Sequence, residues 1–291
     1  MTETPAKILD GKLLANTIKE QLKKEVDRFK RSVDQIPHLV NIMIGSQHSS
    51  LAYANSQKKA AEYIGIHYEL AALPLQSSQT ALIDYIKRLN DDPKVNGIMI
   101  HKPVPPQIDY RMAANHVAPL KDLEGINVAN IGKMILRETN IIPCTPAAVM
   151  AHIQSTSVPL RGKEAVIVGH SEIVGKPLSL LLLDQFLTVT ICHIATSEAG
   201  KLVEHVRRAD VLVVAVGKAN LIKGDWIKKG AVVVDVGINQ VGDHIEGDVE
   251  FESARKRAAF ITPVPGGVGP VTVVMLMKNG VEAFKAQIKN S

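Results

Sequence analysis

Cysteine is nearly missing from this 291-residue sequence, which holds only Cys144 and Cys192. The two lie far apart and in no Cys-x-x-Cys or Cys/His ligand spacing, so a disulfide framework and a cysteine-built zinc site are both excluded. Aromatic residues amount to 4%, too few for the stacking platforms that bind single-stranded nucleic acid. Long apolar runs are also wanting: no uncharged stretch approaches the ~20 residues of a membrane span. The first ten residues lack the apolar core of a signal peptide. A soluble, cytoplasmic protein with neither nucleic acid nor membrane as partner is expected.

Hydrophobic residues make up 46% and charged residues 22%, the balance of a packed globular protein. The length exceeds what one core usually serves, so two domains are expected. The net charge of +5 is scattered over predicted helices, which suits anionic ligands such as a phosphate-bearing cofactor.

Apolar residues recur at helical spacing over 15–29, and residues 39–44 form a short apolar run ended by Gly45. A helix over 56–64, a strand over 68–73, a helix over 80–90 and a buried strand over 97–100 follow, closed by the proline-rich residues 101–106. This βαβ rhythm implies a parallel sheet. From 165 onward the strands at 165–168, 188–192, 211–216 and 232–236 are continuous β-branched runs, as in strands buried on both faces. The expected fold class is α/β, with two α/β domains, the C-terminal one a doubly wound, Rossmann-like parallel sheet. The boundary is placed near Ile142: domain 1–141, domain 142–271, and a last helix that brings 272–291 back to the first.

After the strand at 165–168 comes Gly169-His170-Ser171-Glu172-Ile173-Val174-Gly175-Lys176-Pro177, then an apolar helical stretch. A glycine closing a strand permits a tight turn, and a second at a helix start lets backbone N–H groups approach a pyrophosphate. The spacing is not GxGxxG, and a ligand-free connection remains an alternative at this point.

Gly169-x-Ser171-x-x-Val174-Gly175-x-Pro177, together with Thr262-Pro263-Val264-Pro265-Gly266-Gly267-Val268-Gly269-Pro270-Val271-Thr272, resembles the two signatures of the methylenetetrahydrofolate dehydrogenase/cyclohydrolase family. Ile8-Leu9-Asp10-Gly11-Lys12, Ser50-Leu51-Ala52-Tyr53, Pro103-Val104-Pro105, Pro119-Leu120-Lys121-Asp122, Pro143-Cys144-Thr145-Pro146, Val236-Gly237-Ile238-Asn239 and Gly247-Asp248-Val249 extend the likeness over essentially the whole chain. The resemblance implies two domains with a cleft between them, a homodimer, a reduced folate as substrate and NADP as cofactor, with NAD also open. It implies oxidation of 5,10-methylenetetrahydrofolate to the methenyl form, then hydration to 10-formyltetrahydrofolate. Substrate contacts are implied for Tyr53, Lys59, Asp122, Glu124, Pro265, Gly266 and Gly267, and catalytic positions at Tyr53, Gln57, His101 and Glu124. Cofactor contacts are implied for Cys144, Thr145, Gly169, His170, Ser171, Val174, Gly175 and Pro177, and for Ile194, Gly217, Ile238 and Thr272. No metal is implied.

Several of these positions depart from the family pattern. Where the family carries Tyr-x-x-x-Lys-x-Lys, this chain has Tyr53-Ala54-Asn55-Ser56-Gln57-Lys58-Lys59, so the catalytic lysine is an amide. An amide neither exchanges a proton nor carries charge, and Lys58 points elsewhere on a helix. The family's Gln before the proline turn is His101, and its pterin-holding Asp is Glu124, one methylene longer. An arginine and a serine that grip the 2′-phosphate in NADP-using relatives are His170 and Ile194.

Hydride loss from the methylene carbon mainly needs proximity and orientation, whereas hydration also needs proton transfer. Dehydrogenation is therefore expected to survive better than hydrolysis. His101 either takes over the proton transfer, a histidine titrating near neutrality, or merely fills volume. Two rival readings are a paralogue acting on another reduced-pterin or one-carbon substrate, and a noncatalytic dinucleotide- or folate-binding partner. His152, His193, Trp226, Met275 and Met277 read as structural, and Asp235 and Asp248 as residues that fix loops.

Overall fold

The computed structural model describes residues 5–45 and 48–289, without the side chains of 48–50; the Ser50 side chain and residues 1–4 therefore lie outside the described residues. The chain runs β1 (Lys7–Ile8), α1 (Gly11–Val33), β2 (His38–Ile44), α2 (His48–Ile64), β3 (His67–Leu73), α3 (Gln79–Asp91), β4 (Gly97–Ile100), α4 (Tyr110–His116) and α5 (Val128–Ile135). It continues through α6 (Cys144–Ser155), β5 (Glu164–Val168), α7 (Gly175–Asp184), β6 (Thr188–Cys192), α8 (Ile194–Glu198), α9 (Leu202–Arg208), β7 (Val211–Val214) and β8 (Val232–Asp235). The hairpin β9 (Asn239–Val241) and β10 (His244–Glu246), α10 (Phe251–Ala254), β11 (Phe260–Ile261) and α11 (Val268–Lys289) complete it. Two compact units emerge: residues 16–144 with 273–291, and residues 1–15 with 145–272.

In the first unit β3, β2 and β4 form a parallel sheet with β2 central. Side chains alternate across a strand, so Val40, Ile42 and Ile44 share one face and pack with Leu82 and Ile86 of α3 and with Ile98 and Ile100 of β4. Leu39, Asn41 and Met43 face the other way, and Asn41 is fully buried. On that side Gly280 of α11 packs closely on β2: a Cβ there would sit 2.7 Å from Leu39 Cδ1, so the leucine would have to shift.

Helix α3 shows how local chemistry fixes an element. Ser78 caps its start by accepting from Ala81 N–H. At its end the buried Lys121 ammonium donates to the carbonyls of Leu89, Asn90 and Asp92 at 2.9, 2.7 and 2.7 Å. Those carbonyls are the acceptors a helix end leaves over, and the macrodipole favours a cation there.

The second unit holds a six-stranded sheet in the order β1-β11-β8-β7-β5-β6, parallel throughout. This corrects the domain limits expected from the sequence: residues 1–15 belong here, because β1 pairs with β11 and Ala6 enters the core of this sheet. The two-residue strands β1 and β11 are too short to show a period. Strand β7 also stops at Val214, before the expected 216, since Val216 N–H donates to the Asp248 carboxylate at 2.7 Å. Among the described residues no helix is long and apolar enough to cross a membrane.

Lys121→Met keeps the buried stem and removes the three donations. Urea unfolding should show a loss of about 1–3 kcal/mol; an unchanged midpoint would mean that the carbonyls find other donors at no cost.

Candidate active site

Helix α2 turns Tyr53 and Gln57, four residues apart and so on one face, toward strand β2. Gln57 is fully buried. Its Oε1 accepts from Asn41 Nδ2 and from the Tyr68 hydroxyl, each at 2.8 Å. Asn41 Nδ2 lies 2.7 Å from Tyr68 Oη and 3.2 Å from Nδ1 of the buried His101. With the asparagine donating, His101 Nδ1 is an acceptor and the neutral ring carries its proton on Nε2. Burial pushes both Tyr53 and Tyr68 up to about 12, so these phenols stay protonated at neutral pH.

Two atoms of this network are buried without a partner: Gln57 Nε2, a donor, and Asn41 Oδ1, an acceptor. Leaving such groups unpaired costs about 1–3 kcal/mol each, and a polar ligand would satisfy them. Lysines 58 and 59 are both exposed, Lys58 lying 3.9 Å from Glu62. Neither brings an ammonium into the network.

The second wall of the site comes from the segment after β4. A parallel bridge joins Ile98 to Asp122, and Leu123 N–H donates to Ile98 O at 3.1 Å; this lays Glu124 beside the carboxyl end of β4. The Tyr110 hydroxyl donates to Glu124 Oε2 at 2.6 Å. Lys102, in the turn after β4, places its Nζ 4.2 Å from the centre of the Tyr110 ring. Burial pushes the Glu124 carboxyl up to about 7, against the Tyr110 hydrogen bond and the charge of Lys102. The ring of Tyr53 stands 5.9 Å from that of His101, so Tyr53 lies among Gln57, His101 and, electrostatically, Glu124.

Asp122 was expected among the substrate contacts, and here the geometry corrects the sequence. Its Oδ1 accepts from the N–H groups of Glu124 and Gly125, and its Oδ2 from Asn127 N–H and Asn130 Nδ2, at 2.8–3.1 Å. Both oxygens are spent on shaping the turn that presents Glu124. Cys144, expected beside the cofactor, groups with this unit and donates to Leu123 O at 3.4 Å. Asn279 fastens the same place, donating to Leu123 O and Ile142 O at 2.9 and 2.8 Å.

In the second unit Gly169, His170, Ser171, Ile194, Gly217 and Ile238, expected to contact the dinucleotide, follow the carboxyl ends of β5, β6, β7 and β8. Gly169 has φ +125°, and a Cβ there would meet Ala215 O at 2.3 Å; a Cβ on Gly175 would meet Gly169 O at 2.0 Å. Only glycine fits either place, and the resulting turn leads into the N-terminus of α7, where free N–H groups favour phosphate. Ser171 Oγ accepts from Val174 N–H at 3.2 Å, closing the turn. His170 is exposed and its ring lies 5.4 Å from that of His193 at the end of β6. Ile194, the first residue of α8, and Ile238, after β8, are exposed. Gly217, with φ +71° and open space where a Cβ would be, has its N–H on Asp248 Oδ2 at 3.0 Å. This cradle fits a dinucleotide.

Pro265, Gly266 and Gly267 also lie in the second unit, where Gly11 N–H donates to Gly266 O at 2.9 Å. Thr145 belongs there too, as does Thr272, whose hydroxyl donates to Val268 O at 3.1 Å within α11. Lys59, Val174 and Pro177 add no side-chain polar bond to these networks; Pro177 is buried in α7. Asn41, Tyr68, Tyr110 and Lys102 were missed from sequence. Asn41 had a signal, being the one polar residue inside the apolar run 39–44. Among the described residues no group of three or more His, Cys, Asp or Glu could hold a metal ion.

Residues 9–124 match the family model of the tetrahydrofolate dehydrogenase/cyclohydrolase catalytic domain, and residues 143–288 that of its NAD(P)-binding domain. The bifunctional protein FolD of Moorella thermoacetica is 45% identical over 97% of this chain and 99% of its own, and that of Acetivibrio thermocellus 47% over 98% and 99%. The crystal structure of FolD from Campylobacter jejuni, 39% identical, superposes with a TM-score of 0.92 over 97% of this chain and 99% of that one. That of Trypanosoma brucei, complexed with NADP and an inhibitor, is 38% identical over 98% and 99%, also with a TM-score of 0.92. The chain belongs to the tetrahydrofolate dehydrogenase/cyclohydrolase family.

Proposed function

We propose that this chain oxidises 5,10-methylenetetrahydrofolate to 5,10-methenyltetrahydrofolate with NADP as hydride acceptor, and that its hydrolysis of the methenyl product is weak. The observation that carries this reading is the buried amide of Gln57 at the family's lysine position, hydrogen-bonded only to neutral partners. Near full-length likeness to bifunctional FolD proteins supports the family substrate over a different pterin or a noncatalytic role.

The residues divide the work as follows. The dinucleotide, when bound, accepts the hydride; the glycine turn 169–175 and the N-terminus of α7 receive its phosphates. Glu124, when ionised, accepts hydrogen bonds from the pterin amine and ring N–H, with Tyr110 fixing its orientation. Gln57 Nε2 and Asn41 Oδ1 offer a donor and an acceptor to the folate. The nitrogen lone pairs flanking the methylene carbon drive hydride loss, so orientation suffices for that step. Addition of water needs a group that takes and returns a proton, and neither the amide nor the high-titrating phenols of Tyr53 and Tyr68 do so at neutral pH. A cytoplasmic homodimer, the common form of the family, completes the reading.

Absorbance of the methenyl product and of reduced nicotinamide, followed together, tests this. The wild type should accumulate methenyltetrahydrofolate. Gln57→Lys should raise hydrolysis at least about tenfold relative to oxidation, because the ammonium can donate to Asn41 Oδ1 and Tyr68 Oη. A variant that oxidises normally and gains no hydrolysis would refute the assignment of position 57. Loss of residual hydrolysis in His101→Ala would identify the imidazole as its proton carrier.

The cofactor clamp gives a second expectation. An imidazole at 170 cannot grip a phosphate dianion bidentately, whereas arginine can. His170→Arg should tighten NADP by about tenfold and leave NAD unchanged, read by nicotinamide fluorescence titration at fixed salt. Equal changes for both cofactors would place the 2′-phosphate elsewhere.

A further inference from the structure

The first unit buries an amide where relatives keep a cation, yet a cation does stand at the opposite wall. Lys102 sits between His101 and Pro103, directly after β4, and its ammonium lies over the face of Tyr110 at 4.2 Å, inside cation–π range. The hydroxyl of that ring donates to Glu124 Oε2 at 2.6 Å, the length of a charge-assisted O–H···O⁻ bond. A cation on the ring face draws density from the phenol and makes its O–H a stronger donor.

We propose that Lys102 is a positioning residue for the reduced pterin: through Tyr110 it keeps Glu124 ionised and aimed, supplying from the turn after β4 the positive charge that α2 lacks at position 57. This rests on the folate reading given above and adds to it a residue that reading does not use.

The surroundings of Glu124 make the cation consequential. Asp122 from its own segment, the Cys144 thiol of α6 and the Tyr53 phenol of α2 all set negative charge or potential negative charge against it. Favouring the anion are the hydrogen bond from Tyr110 of α4, a backbone hydrogen bond from Ile100 of β4, and the charge of Lys102. Burial outweighs them and leaves the carboxyl titrating at about 7. Recognition of the pterin amine and ring N–H requires the anion, so folate capture strengthens as pH rises through that value and weakens below it.

Removing the cation moves this limb to higher pH. For Lys102→Met a displacement of about one pH unit is expected. The KM for methylenetetrahydrofolate then rises about fivefold near pH 7 and is unaltered near pH 9, where Glu124 is ionised in both proteins. Lys102→Arg, which can also stack on the ring, restores the wild-type limb, and Tyr110→Phe shifts it as Lys102→Met does. Thermal unfolding and NADP titration of each variant report that the fold is intact.

A limb that stays in place in Lys102→Met, or a KM raised equally at every pH as by lost packing, overturns the inference and leaves the proposed function standing. A wild-type protein that neither binds nor oxidises methylenetetrahydrofolate at any pH removes both.

Discussion

Parallel pairing is the constraint on which everything else rests. Every paired strand in both large sheets runs in the same sense as its neighbour. A parallel strand cannot be followed by a tight hairpin to its neighbour, so each chain crossing must leave the carboxyl edge and return by a long connection, in most cases a helix. The carboxyl edges therefore collect one loop per strand, and chemistry-bearing residues sit on those loops. Gly45, His101 and Lys102 follow β2 and β4 in one unit; Gly169, His193, Gly217 and Ile238 follow β5, β6, β7 and β8 in the other. The same rule accounts for ligand sites at the carboxyl edges of open α/β sheets.

Within the first unit, burial decides what position 57 can do. An isolated ammonium in a neutral, fully enclosed setting bears a desolvation cost that only a paired acceptor of charge offsets. An amide there needs only ordinary hydrogen bonds, each worth about 1 kcal/mol net, and Asn41 and Tyr68 provide them. The amide satisfies this buried position without charge and is not itself a group that exchanges a proton. That separation maps onto the two family reactions, because one asks for geometry and the other for geometry together with a mobile proton.

Long apolar runs made the fold legible. Strands β2, β4 and β5 lie where apolar runs placed them, since buried parallel strands need both faces apolar, whereas β6, expected to be buried on both faces, lies at the sheet edge and is only half-buried. The two-residue strands β1 and β11 carry no such signal, and this is why residues 1–15 joined the other unit from the one expected. Motif spacing located the loops and the helix that carry Gln57, Glu124 and Gly169. The site was not legible where distant segments meet: the Asn41–Tyr68–Gln57 contacts span three elements, and no local spacing reports that Lys102 lies on Tyr110. Asp122 misled because a sequence shows a carboxylate's presence but not whether its oxygens are already used.

That last point recurs in the second unit and shows a shared construction. Asp248 is fully buried, and its carboxylate accepts from the N–H groups of Val216, Gly217 and Lys218 and from Asn239 Nδ2 at 2.7–3.0 Å. Asp235 in turn receives the N–H groups of Gly237, Asp248 and Val249. These acids shape the loops after β7 and β8 just as Asp122 shapes the turn before Glu124. A buried carboxylate surrounded by backbone donors is stable only while those donors converge, so each acid holds its loop in one conformation. The neighbour it displays, Gly217 in one unit and Glu124 in the other, is thereby fixed before any ligand arrives, and no loop ordering is left to be done on binding.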